Sequence, residues 1–167
     1  MKFYLKMCGI FLFSIMTALV VYPFLHEISH SVAAILMGAK VYDFQLFPLP
    51  YVVCYSDQFS TYEHTVVGIA GLVLPMSFLL LKPKKFCSTV VLYTIKGIVS
   101  YAWLLSIISI MCYVWGNIWE CEDIIQIIIL GGGNVMLWLA ICIVAFLCSI
   151  YIVLKERPIK KIMDYFE

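Results

Sequence analysis

Long hydrophobic runs, interrupted by short polar segments, dominate the chain. Uncharged runs cover residues 7–25, 65–81, 97–119 and 124–154. Because a helix needs ~20 residues to cross a bilayer, these runs predict about four transmembrane helices. The last run is too long for one straight span, and three consecutive glycines at 131–133 divide it into a short helix, 124–130, and a full span, 134–154.

The segment between the first two runs has a different pattern. Residues 41–63, VYDFQLFPLPYVVCYSDQFSTYE, are rich in aromatic and β-branched residues and are interrupted by Pro48 and Pro50. This pattern favours one or two short strands at the membrane surface. The whole chain, residues 1–167, is therefore predicted to be a single all-α integral membrane domain of about four transmembrane helices, with a short β-hairpin-like surface segment between helices 1 and 2.

The overall composition excludes several classes of protein. Hydrophobic residues make up 64% of the chain and charged residues only 13%, and the mean hydropathy is +1.02. A soluble domain has ~45–50% apolar and ~25% charged residues. The composition therefore excludes a soluble domain, a disordered chain and a nucleic-acid binder with a basic face, and it makes the lipid bilayer the expected environment.

The basic residues predict an orientation. With four crossings, ten of the eleven lysines and arginines fall on one side of the membrane, and only Lys40 falls on the other. Lys96 belongs to the larger group and is expected near the mouth of the third span. Positive charge in short loops stays in the cytoplasm. We therefore expect a multi-pass protein of the cell membrane with both termini cytoplasmic.

The first hydrophobic run leads into His26-Glu27-Ile28-Ser29-His30, an HExxH motif. Residues four apart lie on one helix face, so both imidazoles can bind one metal ion. Zinc lowers the pKa of a coordinated water to near ~7, and a neighbouring carboxylate such as that of Glu27 can take its proton. By chance, this composition would give HExxH only about two times in a thousand. A polar cluster that merely holds helices together is the structural alternative.

The stretch HEISHSVAAILMGAKV resembles the signature helix of the site-2 protease family of intramembrane zinc metallopeptidases. The similarity covers roughly residues 20–80. It includes a short β region at 41–63 and a small-residue motif, Gly68-Ile69-Ala70-Gly71-Leu72, that opens the next span. The resemblance implies a zinc-dependent endopeptidase in which His26 and His30 bind Zn²⁺ and Glu27 is the catalytic base.

The family supplies its third ligand from an aspartate in a Leu-Asp-Gly motif that opens a later span. This chain has no such motif and has Asn117-Ile118-Trp119-Glu120-Cys121-Glu122-Asp123 instead. Asp123 is the candidate metal ligand because it opens the apolar run 124–130, and Glu122 and Glu120 are alternatives. The predicted topology returns this segment to the side where HExxH ends. A solvated acidic loop that caps a helix is the other interpretation.

Three functional hypotheses follow. The first is an intramembrane zinc metalloprotease that hydrolyses peptide bonds in a membrane-anchored protein or hydrophobic peptide through a water activated at HExxH. The second is a catalytically degenerate membrane protein that binds peptides or partner helices, which the missing Leu-Asp-Gly supports. The third, a metal carrier, would need more polar residues along several spans. No nucleic-acid partner is expected, and homo-oligomerisation and a regulatory partner are left open.

Overall fold

Helices form most of the computed structural model, which describes residues 2–45, 51–55, 59–83, 85–117 and 123–165. The helices are α1 (Lys2–Met16), α2 (Tyr22–Leu36), α3 (Thr61–Met76), α4 (Phe86–Val114), α5 (Asp123–Leu130), α6 (Val135–Glu156) and α7 (Pro158–Met163). The strands are β1 (Lys40–Gln45) and β2 (Tyr51–Tyr55). The prediction of a helical protein with a short two-stranded insert is confirmed. The short helix before the glycine triplet is confirmed as α5.

Four helical segments are long and apolar enough to cross a membrane, as predicted. They are Tyr4–Leu36, Thr61–Leu80, Cys87–Val114 and Val135–Met163. The first is longer than the predicted run 7–25, because the helix continues through HExxH and stops only before Gly38. That glycine has a φ of 85°, the left-handed conformation that terminates helices.

The first segment contains one irregular turn. Pro23 lies inside this segment and has no N–H to donate to the Leu19 carbonyl. The structure has a π-helical turn at Thr17–Val21, just before the proline, in which the Tyr22 N–H donates to the Thr17 carbonyl. A wider turn accommodates the missing N–H and the ring of a proline inside a helix.

The two strands form an antiparallel pair beside α2. Their register runs from Lys40 opposite Tyr55 to Gln45 opposite Tyr51, with a bulge between Val41 and Asp43. Both strands contact α2. One contact is an edge-to-face pair between Phe24 and Phe44, whose ring centroids are 6.0 Å apart. The hairpin therefore lies against the helix that carries HExxH.

The core is centred on α4, which packs most extensively against α6. Buried core residues include Trp103 and Ile110 of α4 and Cys142 of α6. Lys96, expected near the mouth of the third span, is instead fully buried inside α4. Its Nζ lies 2.7 Å from the Glu156 carboxylate and donates to the Leu81 carbonyl at 2.8 Å. The helix α4 begins at residue 86, so it also contains the apolar stretch that precedes Lys96 and the uncharged run 97–119.

Polar contacts bring the two ends of the chain together. The Lys6 ammonium donates to the Tyr165 carbonyl at 3.3 Å, and the Lys161 ammonium donates to the Tyr93 hydroxyl at 2.9 Å. The start of α4 is thus at the same end of the bundle as both described termini. Helix α3 packs against α2 and contacts its HExxH segment through the carbonyls of Val67 and Gly71.

Candidate metal centre

Three side chains from two helices converge on one point. His26 and His30 lie one turn apart on α2, and Asp123 is the first residue of α5. Nε2 of His26 is 3.0 Å from Oδ2 of Asp123, Nε2 of His30 is 3.3 Å from the same oxygen, and the two Nε2 atoms are 3.3 Å apart. Within the described part of the chain, these three residues form a group that could hold a metal ion.

Backbone carbonyls of α3 determine which imidazole nitrogens face this point. Nδ1 of His26 lies 2.9 Å from the Gly71 carbonyl, and Nδ1 of His30 lies 2.8 Å from the Val67 carbonyl. Because a carbonyl can only accept, each Nδ1 carries the hydrogen, and the Nε2 of each neutral ring presents a lone pair. Two lone pairs and a carboxylate then face one another. Such atoms repel unless a proton or a metal ion lies between them.

The spacing of the three atoms fits zinc. Tetrahedral zinc with bonds of ~2.0–2.1 Å places its ligand atoms about 3.3 Å apart. The observed separations of 3.0 and 3.3 Å agree with that value. Two imidazoles and one carboxylate are also a ligand set of catalytic zinc sites, in which the fourth position is left open.

A close contact between α3 and α5 brings Asp123 to the histidines. A Cβ added at Gly68 would lie 2.6 Å from Cγ1 of Ile127, so only glycine allows this approach. Asp123 is therefore held at the centre by packing of the buried face of α5. Glu120 and Glu122, the alternative ligands, lie outside the described residues, and their comparison with Asp123 stays a prediction.

The electrostatics of Asp123 suit a ligand. Burial acts to raise its pKa, but hydrogen bonds and positive charge from His26 and His30 outweigh burial and hold the pKa well below its usual range. The carboxylate is thus ionised, as metal binding requires.

Glu27 lies next to the three converging residues without being one of them. Its side chain is buried, with 8% of the residue exposed. Its carboxylate is near enough to interact electrostatically with His26, His30 and Asp123. This position suits the predicted general base, a role that remains a prediction.

The structure adds residues that the sequence interpretation did not assign to the site. The carbonyls of Val67 and Gly71 are the partners of the two imidazoles. The small-residue motif at 68–72, in the middle of α3, was a signal for Gly71 but not for Val67. The third histidine, His64, lies outside the group and packs edge-to-face on Phe59 at 5.3 Å. Comparison of the chain with protein-family models, curated proteins and solved structures finds no match.

Proposed function

We propose that this chain is an integral-membrane zinc-dependent endopeptidase, similar to the site-2 protease family, that hydrolyses peptide bonds in membrane-associated substrates. The observation that carries the proposal is the convergence of His26, His30 and Asp123. Their metal-binding atoms have the separations of tetrahedral zinc ligands. A buried glutamate, Glu27, lies beside them and is the only acidic residue of α2.

Each residue has a distinct task. His26 and His30 offer neutral Nε2 atoms, and Asp123 offers a negative charge that offsets part of the charge of a divalent cation. Zinc, when bound, supplies Lewis-acid chemistry that polarises a carbonyl and lowers the pKa of water. Glu27 then accepts a proton on its carboxylate as the water attacks the peptide carbonyl, and it returns the proton to the leaving amine.

The surroundings of the centre favour a hydrophobic substrate. Both histidines lie on α2 and their carbonyl partners lie on α3, and these two helices belong to segments long and apolar enough to cross a membrane. We infer that the protein is inserted with both termini in the cytoplasm, because nine of the eleven basic residues fall on that side, with Lys96 buried inside α4 and Lys40 on the other side. The metal centre then faces the opposite side, where a membrane-anchored segment or a hydrophobic peptide reaches it.

Single-cysteine labelling tests the orientation. One variant keeps only the native Cys87, which is exposed at the start of α4, and a second carries only Tyr62→Cys, at an exposed position near the start of α3. In intact cells, a membrane-impermeant maleimide should label position 62 and leave position 87 unlabelled. The reverse pattern would overturn the orientation.

Glu27→Gln is the most informative variant for activity. The protein is purified in detergent, its zinc is measured, and it is reconstituted with a membrane extract in which new peptide N-termini are identified by mass spectrometry. Glu27→Gln should retain zinc and lose ~10²–10⁴-fold in cleavage rate, the range for a lost general base. His26→Ala and His30→Ala should lose both zinc and cleavage.

Three results would contradict the proposal in different ways. Zinc content that is unchanged by His26→Ala and His30→Ala would place the metal elsewhere. Equal cleavage by wild type and Glu27→Gln would eliminate the hydrolytic role of Glu27. Zinc-free protein that still captures hydrophobic peptides would establish the alternative, a catalytically degenerate peptide-binding protein.

A further inference from the structure

A proline lies inside α3 at the position where it affects the metal centre. In an α-helix the carbonyl of residue i accepts the N–H of residue i+4. For Gly71 that donor position is Pro75, which is buried within Thr61–Met76 and has no N–H. The Gly71 carbonyl therefore has no helical donor, and the group that donates to it is Nδ1–H of His26, at 2.9 Å.

The second imidazole provides an internal comparison. His30 donates to the Val67 carbonyl at 2.8 Å. Four residues after Val67 the chain has Gly71, which retains its backbone N–H. The Val67 carbonyl thus serves an intact helix and uses its second lone pair for His30. The two acceptors therefore differ: His30 shares the Val67 carbonyl with a helical N–H, whereas the Gly71 carbonyl that His26 uses has no N–H four residues later.

Gly71 is also the residue over which both rings lie. A Cβ there would overlap Nε2 of His30 and would lie 2.8 Å from Cε1 of His26. Because Gly71 has no side chain, both rings can reach the backbone of α3. Because Pro75 has no N–H, the Gly71 carbonyl is left to accept from His26. Gly71 and Pro75 thus satisfy two separate requirements of the same contact.

We propose that Pro75 is a positioning residue for the metal centre: by leaving the Gly71 carbonyl without a helical donor, it fixes the orientation of His26 and its Nδ1–H tautomer, so that Nε2 faces the metal. The assignment of the ion rests on the proposed function, whereas the hydrogen bond itself does not. Outer-shell partners of this kind set metal affinity, and their loss costs ~10–100-fold.

The experiment is ¹⁵N NMR of the imidazoles in the full-length protein, freed of metal, at about pH 9, where an unperturbed histidine is neutral. Every NMR sample, including the one that is wild type at position 75, carries Asp123→Ala, because the Asp123 carboxylate lies 3.0 Å from Nε2 of His26 and would itself favour the Nε2–H tautomer. The chain has only 3 histidines, so single substitutions assign the spectrum. The sample that retains Pro75 should show the Nδ1–H tautomer at both His26 and His30. Pro75→Ala restores an N–H that shares the Gly71 carbonyl and so weakens it as an acceptor for His26, which should raise the Nε2–H fraction at His26 and leave His30 unchanged.

Replacing Pro75 by L-lactic acid separates the missing N–H from the proline ring. This residue has the side chain of alanine, but its ester linkage has no N–H. The lactic-acid variant should restore the wild-type tautomer at His26. In a separate chelator competition, Pro75→Ala should weaken zinc binding by ~10-fold or more. Pro158→Ala is the matched control, because Pro158 is at the first position of α7, where the N–H has no helical partner.

The outcomes distinguish the two proposals. An Nε2–H tautomer at His26 in the sample that retains Pro75 would overturn the role of Pro75 without any Pro75 variant having to fold. A lactic-acid variant that behaves like Pro75→Ala would assign the effect to the ring and also overturn it. The expected tautomers in a protein that binds no zinc would leave the role of Pro75 intact and refute the proposed function.

Discussion

Gly71→Ala adds one methyl group at the point where α3 meets the two imidazoles. The new Cβ would lie 2.6 Å from Cε1 of His30 and 2.8 Å from Cε1 of His26, whereas ordinary contact begins near 3.4 Å. The rings must therefore retreat by at least about 0.6 Å, and His30 by more because its Nε2 is the nearest atom, while metal–ligand distances tolerate only ~0.2 Å. We expect zinc affinity to fall by ~100-fold or more, because both ligands move and the outer-shell hydrogen bonds are lost with them.

A matched glycine makes the measurement specific. Gly97 lies inside α4, and a Cβ there meets nothing within 4 Å. Both substitutions gain ~1 kcal/mol of helix propensity, so Gly97→Ala reports the backbone effect alone. The assay is chelator competition for zinc on protein purified in detergent, with thermal unfolding of the metal-free protein measured in parallel. Wild-type zinc affinity in a folded Gly71→Ala protein would refute the inferred arrangement of rings around α3.

Two further predictions concern the charged groups. Asp123→Asn should weaken zinc binding by ~10-fold or more while the metal-free protein stays folded, because the amide is a much poorer ligand. Glu122→Gln is the comparison variant. Loss of zinc from Glu122→Gln alone would transfer the ligand role to Glu122. Lys96→Met should destabilise the protein by ~3–5 kcal/mol in denaturant unfolding, since it leaves the carboxylate of Glu156 without its cation in a poorly solvated site. Lys96→Met combined with Glu156→Gln should recover most of that loss, and two additive effects would mean that the ion pair is not coupled.

The parts of the fold that depend on local pattern could be predicted from the sequence. The hydrophobic runs predicted the four long helices, and the glycine triplet predicted where α5 ends. Tertiary contacts decided the rest. Lys96, buried inside α4, pairs with Glu156, which lies 60 residues away along the chain, and no local pattern reveals that pairing.

The same distinction applies to the site. His26 and His30 share a helix face by spacing alone, so their proximity was predictable. Asp123 lies close to them because Gly68, which has no side chain, allows Ile127 of α5 to pack closely against α3. The orientation of the rings depends on carbonyls of Val67 and Gly71. Every residue has a backbone carbonyl, so the sequence does not show which carbonyls accept hydrogen bonds from the imidazoles.

The buried Lys96–Glu156 pair has a consequence for biosynthesis. In the proposed membrane topology, α4 leaves the ribosome well before α6, so its lysine enters the insertion machinery without its counter-charge. A lysine at the centre of a spanning helix costs ~2.5–3.5 kcal/mol on the insertion scale, which is an upper limit for Lys96 because it lies in the first half of α4. We expect α4 to remain at the lateral exit of the translocon until α6 arrives, and the two helices to enter the lipid together. Truncation of the nascent chain before residue 156 should then leave α4 cross-linkable to the translocon.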